Sequence, residues 1–589
     1  MKKKVLSVVL CMAMMSSVLT GCGGEEKKEV ASTGSKDGNY EEFITVDVFD
    51  QFANYQGIQS GWFAKVVKDK FNMELNIIAP NVAGGGDTLY QTRSAAGDLG
   101  DLVLVDTSNG VLNDLVESEL IMDCTEMMEG KEIVANYSDA IEATNKLASE
   151  EGMWAFPNMV SSNAATSSSE ALEPTFGSYI RWDYYAELGY PEMADMNAFL
   201  DVLEDMQKLA REKEGADDIY ALSFFKDWDD NMMNNAKQPA CMYGFDEVGF
   251  VLAKADGSDF QSVVEEDSIY ADVLEFFFEA NQRGLVDPDS TTQNYDTWSN
   301  KYTNGKTLYC PWPWVGQSMY NTAENKEAGK GFMLAPVKDM QIFSFGCCPL
   351  GNTQRVIAIG SQAEDPQRMA DFIDWLYSPE GVEMNQASNM CAGPEGLTWE
   401  MVDGKPVKTE FGEAALPSNE TEVPEEWGGG NWKDGISTLN FECIARTDTN
   451  PKTGETYDWS MWESTIANAT SPLEEDWREH MGASTSMEYL QNNNMITVAP
   501  GSAYTSPEED SNITTVRGQC KAAVIDNSWK MIFAKDKAEF DKYMTEMRET
   551  AEGLGIKDVL EVDMKNAKDQ DAARKESAEQ FPEPKTVEE

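Results

Sequence analysis

The sequence predicts an α/β protein built on parallel, helix-covered sheet and divided into more than one unit. Three observations carry this. Short β-rich runs alternate with amphipathic stretches between residues 43 and 106. A later buried strand, "RVIAIG" at 355–360, is followed at once by another amphipathic helix. Finally, 589 residues exceed what one ordinary domain holds.

The elements follow in order. "ITVDVF" (44–49) is rich in β-branched residues and reads as a strand. In "GIQSGWFAKVVKDKF", Ile58, Trp62 and Val66 recur at helical spacing beside Phe63 and Val67. "ELNIIA" (74–79) is a second strand, "DTLYQTRSAAGDLG" a second helix and "DLVLVD" (101–106) a third strand. A β-α-β-α-β run of this kind holds ligands beyond the carboxyl ends of its strands. Those ends carry Asp50, Gln51, Asn54 and Asp106, all able to form hydrogen bonds.

A second block begins near "GMWAFP" (152–157) and the serine-rich "VSSNAATSSS". Phe199, Val202, Met206 and Leu209 give a helix at 196–212 one apolar face, and "DVLEFFFEANQRGLVDP" is a further helix closed by Gly and Asp287-Pro288. Met369, Phe372, Ile373 and Leu376 line one face of the helix after "RVIAIG". Residues 389–500 are turn-rich, with hairpin-like "WEMVDGKPVKTEF" and "NPKTGETYDW". Phe533, Phe540, Met544, Met547 and Ala551 mark a closing helical stretch with its stop at Gly553, and the last twenty residues, charged throughout, are expected to fray. No internal repeat is present.

At the amino terminus, Met1-Lys2-Lys3-Lys4 precedes "VLSVVLCMAMMSSVL", an apolar run too short for a membrane span. It ends in Leu19-Thr20-Gly21-Cys22, which resembles a bacterial lipoprotein lipobox. That resemblance implies a leader of residues 1–21, acylation of Cys22 and tethering to the outer face of the cytoplasmic membrane through a flexible, polar 22–42. The ordinary alternative is a secretory leader with an incidental cysteine.

Charge excludes some partners. With 46 Lys+Arg against 103 Asp+Glu the net charge is −57, which repels nucleic acid and anionic lipid but names no substrate. The ten cysteines show no C-x-x-C and one adjacent pair, Cys347-Cys348, so bridges and buried thiols both stay open. A single histidine, His480, argues against zinc and leaves a Ser-His-Asp or Cys-His site little to build on, with no G-x-S-x-G elbow beside it. "NGKT" fails as a phosphate loop because Asn300 stands where the first glycine is needed. "DPDSTTQNYD" and "DTNPKTGE" lack the glycine and terminal glutamate of an EF-hand. Neither metal nor cofactor is expected.

Three stretches, in this order, carry a family resemblance: "ITVDVFDQFANYQGIQSGWFAKVVKDKFNMELNI", "YTNGKTLYCPWPWVG" and "RVIAIGSQAEDPQRMADFIDWLYSPEGVEMNQ". Together they resemble the extracellular solute-binding proteins of ATP-driven importers, the group that contains maltose-binding protein. "IRWDYYAELGYP" and "WKMIFAKDKAEFDKYMTEM" resemble its longer, mostly Gram-positive lipoprotein branch. The resemblance covers roughly residues 43 to 560 and implies a two-lobed, type II periplasmic-binding-protein fold with hinge strands and a ligand cleft between the lobes. Lobe 1 would take residues 43–157 and 341–388, lobe 2 residues 158–340 and 389–565, and a charged tail 566–589. An oligosaccharide ligand, a membrane permease as partner, a monomer and no catalysis are likewise implied.

A sugar offers apolar C–H faces and a rim of hydroxyls, so its site needs an aromatic plane and polar groups at the edge. In "GKTLYCPWPWVG" the resemblance assigns the stacking role to Trp312, presented on a lobe-crossing loop by Pro311 and Pro313; Trp314 joins the candidates but is read first as packing. Trp154, Trp182 and Trp228 stand in lobe-crossing or polar contexts. Trp62 and Trp375 sit on apolar stripes, while Trp427 and Trp432 in "EEWGGGNWKD" read as an exposed loop. Asp50, Asn54, Asp106 and Arg181 form the candidate polar rim, the last by forked donation. The structural alternatives are core packing for the tryptophans, with a surface patch equally open for Trp182 and Trp228, loop capping for Asp50 and Asp106, and an interlobe salt bridge for Arg181. Two rival readings remain: a surface glycoside hydrolase, which needs only two carboxylates, and the same fold holding a non-sugar solute such as a peptide.

Overall fold

In a computed structural model of the chain, the described residues are 40–587 apart from 84–86, 419, 469 and 508; the leader and Cys22 lie outside them. The first lobe is built on a six-stranded sheet in the order Gly57–Ile58, Met73–Ile78, Ile44–Asp50, Leu102–Asp106, Asn352–Ile359 and Phe156–Asn158. Ile44–Asp50 runs parallel to both neighbours, with Val48 opposite Ile77 and Leu102. The late strand Asn352–Ile359 enters antiparallel, Ile357 opposite Leu104.

Alternation sorts these strands onto two faces. Val46, Val48, Leu102 and Leu104 point into one apolar core; Phe49, Val103, Val105 and Val356 point into the other. The helix Gly61–Phe71 covers the first face with Trp62, Phe63 and Val67, joined by Phe372, Ile373 and Leu376 of Pro366–Tyr377. Val111–Glu117 covers the second with Leu112 and Leu115.

The segment from Cys391 to Trp462 packs into this first-lobe core, through Leu397, Trp399, Trp432, Phe441 and Tyr457. The expectation that residues 389–565 all join the second lobe is therefore corrected for this stretch. Its turn-rich sequence carries large apolar residues that the sheet's open face absorbs. Trp432, read from sequence as exposed, is fully buried and stacks on Trp62 with centroids 4.6 Å apart and planes 6° apart. Glycine makes that approach fit: a Cβ on Gly61, whose φ is +72°, would lie 2.3 Å from the Gly435 Cα.

The second lobe has one continuous apolar core formed by residues between Phe176 and Phe343 and between Leu473 and Val559. At its centre, Tyr179–Arg181 lies between the antiparallel strands Tyr309–Cys310 and Phe332–Leu334. Around it stand the helices Met196–Glu214, Ile269–Gln282, Ser511–Ile532 and Lys537–Leu554. Met196–Glu214 is capped by the Asp195 carboxylate on the Ala198 N–H and closed by Gly215. The stop expected at Gly553 falls two residues later, at Gly555, whose φ of +95° suits the left-handed closing position. Because Ile342 and Phe343 pack here, the boundary expected at 341 shifts past Phe345.

Between the two cores the crossings are tightly laid. Ser169 N–H donates to the Phe345 carbonyl, Gly346 to Ala499, Cys347 to Ser167 and Gly501 to Ala165. A Cβ on Gly501 would stand 2.0 Å from the Cys347 carbonyl oxygen. Asp448 stitches the same region by accepting from Ser161 Oγ (2.5 Å), Ser162 Oγ (2.8 Å) and Asn163 Nδ2 (2.9 Å). Over its described residues the charged tail is helical as far as Gln580 rather than frayed. Helix Ile556–Gln580 buries Asp563, Asn566 and Ala567, Phe581 is buried, and Lys585 donates its N–H to the Ser162 carbonyl and its Nζ to Asp139 of the first lobe.

Candidate functional site

The two prolines of "PWPW" divide a strand from a helix. Pro313 takes the first position of helix Pro313–Tyr320, where a missing N–H leaves no helical bond unmade. Trp312 is the residue before it, extended at φ −126°, and its ring turns inward. It is 4% exposed, donates Nε1 to Gln238 Oε1 at 3.0 Å and meets Trp298 edge-on at 5.8 Å. Trp314, on the first helical turn, is 43% exposed. Trp312, expected to face a ligand, is instead sealed into the second lobe, and Trp314, read first as packing, is the more exposed ring.

Trp314 stands in the wall of a cleft of about 780 Å³ between the lobes. The second lobe contributes Trp314, Gln317, Phe345 and the acids Glu170 and Glu173; the first contributes Met159, Asn352, Met390, Glu442, Arg446 and Asp458. An adjoining cavity of about 440 Å³ shares Leu172, Glu173, Gln317 and Ser460, and adds Trp459 and the Lys326–Glu474 ion pair. The cleft thus has aromatic and thioether surface beside amide and carboxylate groups, the mixture that a ring with apolar faces and a hydroxyl edge requires.

Acids dominate the polar part. Burial raises the Glu170 carboxyl, against the hydroxyls of Ser344, Thr175 and Ser168 that hold its charged form. Burial pushes Glu173 up to about 7, and its Oε2 is enclosed without a hydrogen-bond partner among the described residues. Burial likewise raises Glu442 and Asp458, with Arg446 as the main opposing charge. The Arg446 Nε lies 3.4 Å from Asp458 Oδ2, and its Nη1 donates to Asn389 Oδ1. Arg446, the arginine in the cleft lining, is thus already engaged by Asp458 and Asn389.

The other candidates separate from this site. Arg181 is 2% exposed and forks onto Asp183, at 2.8 Å from Nε and 2.7 Å from Nη2, between the Tyr184 and Tyr320 rings. It is a core residue of the second lobe. Trp182 is buried beside it, with Nε1 on Asp476 Oδ2 at 2.6 Å. Trp154 packs against the first lobe's second core and donates to the Glu150 carbonyl. Asp50 is fully buried at the sheet's carboxyl edge, accepts from the Phe52 and Asn440 N–H groups, and is pushed up to about 6 by burial. Asp106 caps the Ser108 N–H at 2.7 Å, and Asn54 is exposed on the same edge. None of these lines the cleft. Trp228 lies outside it but touches Trp314. His480 stacks on Tyr190 at 3.8 Å, within the second lobe.

Sequence reasoning missed Glu170, Glu173, Gln317, Phe345, Glu442, Arg446 and Asp458. For Glu170 and Glu173 a signal existed: two acids close behind the serine-rich crossing at 160–169. The eight body cysteines are free thiols, and no group of three or more His, Cys, Asp or Glu side chains is placed to hold a metal among the described residues.

No family model matches the chain, and no curated protein matches it. Solved structures do. An alginate-binding protein, AlgQ2 without calcium ion, is 13% identical with a TM-score of 0.53. An HMO-binding, ABC-transporter-associated solute-binding protein from Bifidobacterium longum infantis is 12% identical with a TM-score of 0.57. The S. pneumoniae substrate-binding protein FusA, in complex with kestose, is 14% identical with a TM-score of 0.53. Each alignment covers 90% of this chain and 99% of the other. The chain therefore has the two-lobed α/β fold of the solute-binding proteins of ABC transporters, as the sequence resemblance implied. These neighbours are binding proteins.

Proposed function

We propose that this chain is an extracellular, lipid-anchored solute-binding protein that captures an uncharged oligosaccharide in the interlobe cleft and delivers it to an ABC transporter permease. The observation that carries the reading is the Trp314 indole, 43% exposed in the wall of a cleft that also presents amide and carboxylate groups. Sugar C–H groups stack on the ring, while hydroxyls donate to the half-buried Glu442 and to the amide oxygens of Gln317 and Asn352. The acidic lining favours such donors and disfavours uronates or other anionic glycans. Ligand contacts with both lobes would favour closure about the crossings at Gly346 and Gly501. The lipobox-like Leu19-Thr20-Gly21-Cys22 supports the anchor, and among the described residues no helix is long and apolar enough to cross a membrane.

A thermal-shift screen of the mature chain against neutral and anionic glycans tests this, because a ligand that binds only the folded state raises the melting temperature. Neutral oligosaccharides should shift it and oligouronates should not. A shift by peptides alone sinks the cargo assignment.

A second reading has one observation in its favour. Glu173, pushed up to about 7, lies in the range that a general acid of a glycoside hydrolase needs, and other carboxylates share the cleft. Recovery of the bound glycan unchanged supports capture; release of shorter products supports hydrolysis.

A further inference from the structure

The aromatic surface does not end where the cleft does. Trp228, outside the cleft lining, is 42% exposed, and its ring lies 5.9 Å from Trp314 with 32° between the planes. Tyr295 also stacks on Trp228, centroids 4.7 Å apart and planes 24° apart. Tyr295, Trp228 and Trp314 thus form a contiguous run of rings of which Trp314 lines the cleft. Contiguous apolar surface of this kind marks a place where something binds, in contrast to scattered exposed residues.

The row is held from below. Buried Phe225 meets Trp228 edge-on at 4.9 Å and Tyr295 at 5.6 Å, and Trp312 lies 5.8 Å from Trp228. The loop carrying Trp228 is pinned on both sides. Asp227 Oδ2 accepts from the Tyr295 N–H at 2.9 Å, and Asp229 accepts from the Trp529 Nε1 at 2.7 Å and from the Asn234 N–H at 2.9 Å. An indole fixed this firmly yet left open costs little further ordering when a flat apolar face settles on it.

We infer that Trp228 and Tyr295 form an outer subsite that grips the part of a glycan chain protruding from the cleft, so that the protein selects for chain length. This deepens the oligosaccharide reading and rests on it. Continuity through Trp314 makes the bound glycan itself the occupant.

The test uses size-defined malto-, cello-, xylo-, manno-, fructo- and chito-oligosaccharides, from disaccharide to hexasaccharide, titrated calorimetrically into the full mature chain. In any series that binds, wild-type affinity should rise with length. Trp228→Ala should lose about fivefold to tenfold of affinity for the hexasaccharide, as one missing stacking contact costs, while staying within about twofold for the shortest ligand bound. Trp314→Ala should weaken every length. Tyr295→Leu, expected to repeat the Trp228→Ala pattern more weakly, stands in if Trp228→Ala unfolds. Equal losses at all lengths, or none at any, overturn the outer subsite while leaving glycan capture intact. If no series binds the wild-type protein, the oligosaccharide reading itself falls and the subsite with it.

Discussion

The Trp314 ring rests against the Trp312 ring, 5.4 Å between centroids and 31° between planes, yet one is open to the cleft and the other sealed. Substitution should therefore separate binding from stability. Trp314→Ala should lower glycan affinity at least about tenfold with little change in unfolding midpoint. Trp312→Ala should cost about 3–5 kcal/mol of folding stability, as large-to-small changes in packed cores do. Calorimetry and urea unfolding on both variants check the division; equal effects on binding and stability would contradict it.

Arg181 offers the converse case. Its guanidinium is buried on Asp183, so Arg181→Ala leaves a carboxylate uncompensated and should cost about 3–5 kcal/mol. Ligand affinity of the molecules that remain folded should be unchanged. An affinity loss without destabilisation would return Arg181 to the binding site.

Stability should rise as pH falls from 8 toward 5. Burial pushes the Glu383 carboxyl up to about 8 from 4.5, and pushes Asp448 and Asp50 up to about 6 from 3.8. The folded state therefore binds these protons more tightly than the unfolded chain does. The stabilisation is complete below the unfolded values and is lost as pH rises through the folded ones. Glu383→Gln should flatten the dependence between pH 8 and 4.5, read as urea midpoints across a pH series.

At the crossings, Gly501→Ala should be among the costlier small substitutions. The new methyl would meet the Cys347 carbonyl oxygen, a backbone atom, at 2.0 Å, so relief requires the crossings to part. A loss of roughly 1–3 kcal/mol is expected from such overpacking, together with a change in glycan affinity. Gly454→Ala, with nothing within 4 Å of its Cβ, serves as the comparison, since its φ of +75° adds backbone strain alone.

Much of the fold is legible in the sequence because it rests on local pattern. Val46, Val48, Leu102 and Leu104 alternate, and Phe372, Ile373 and Leu376 recur at helical spacing, whatever the rest of the chain does. The site is less legible because it depends on pairings that local pattern does not encode. Nothing in "PWPW" distinguishes the two indoles; only the helix start at Pro313 and the waiting Gln238 turn Trp312 inward. Arg181 is of the same kind: sequence suggests an interlobe salt bridge as its structural alternative, whereas its partner is Asp183, two residues on in the same lobe. Glu442, Arg446 and Asp458 reach the cleft because Cys391–Trp462 folds back on the first lobe, a long-range choice that its turn-rich composition conceals.

That threading has a consequence for how the molecule comes into being. Asn352–Ile359 occupies an interior place in the first lobe's sheet, and the second lobe waits in turn for Ser511–Ile532 and Lys537–Leu554. Neither half can finish before the other has been interrupted, so a growing or secreted chain must remain incomplete until nearly all of it has emerged, and fragments cut at either lobe boundary should not fold alone.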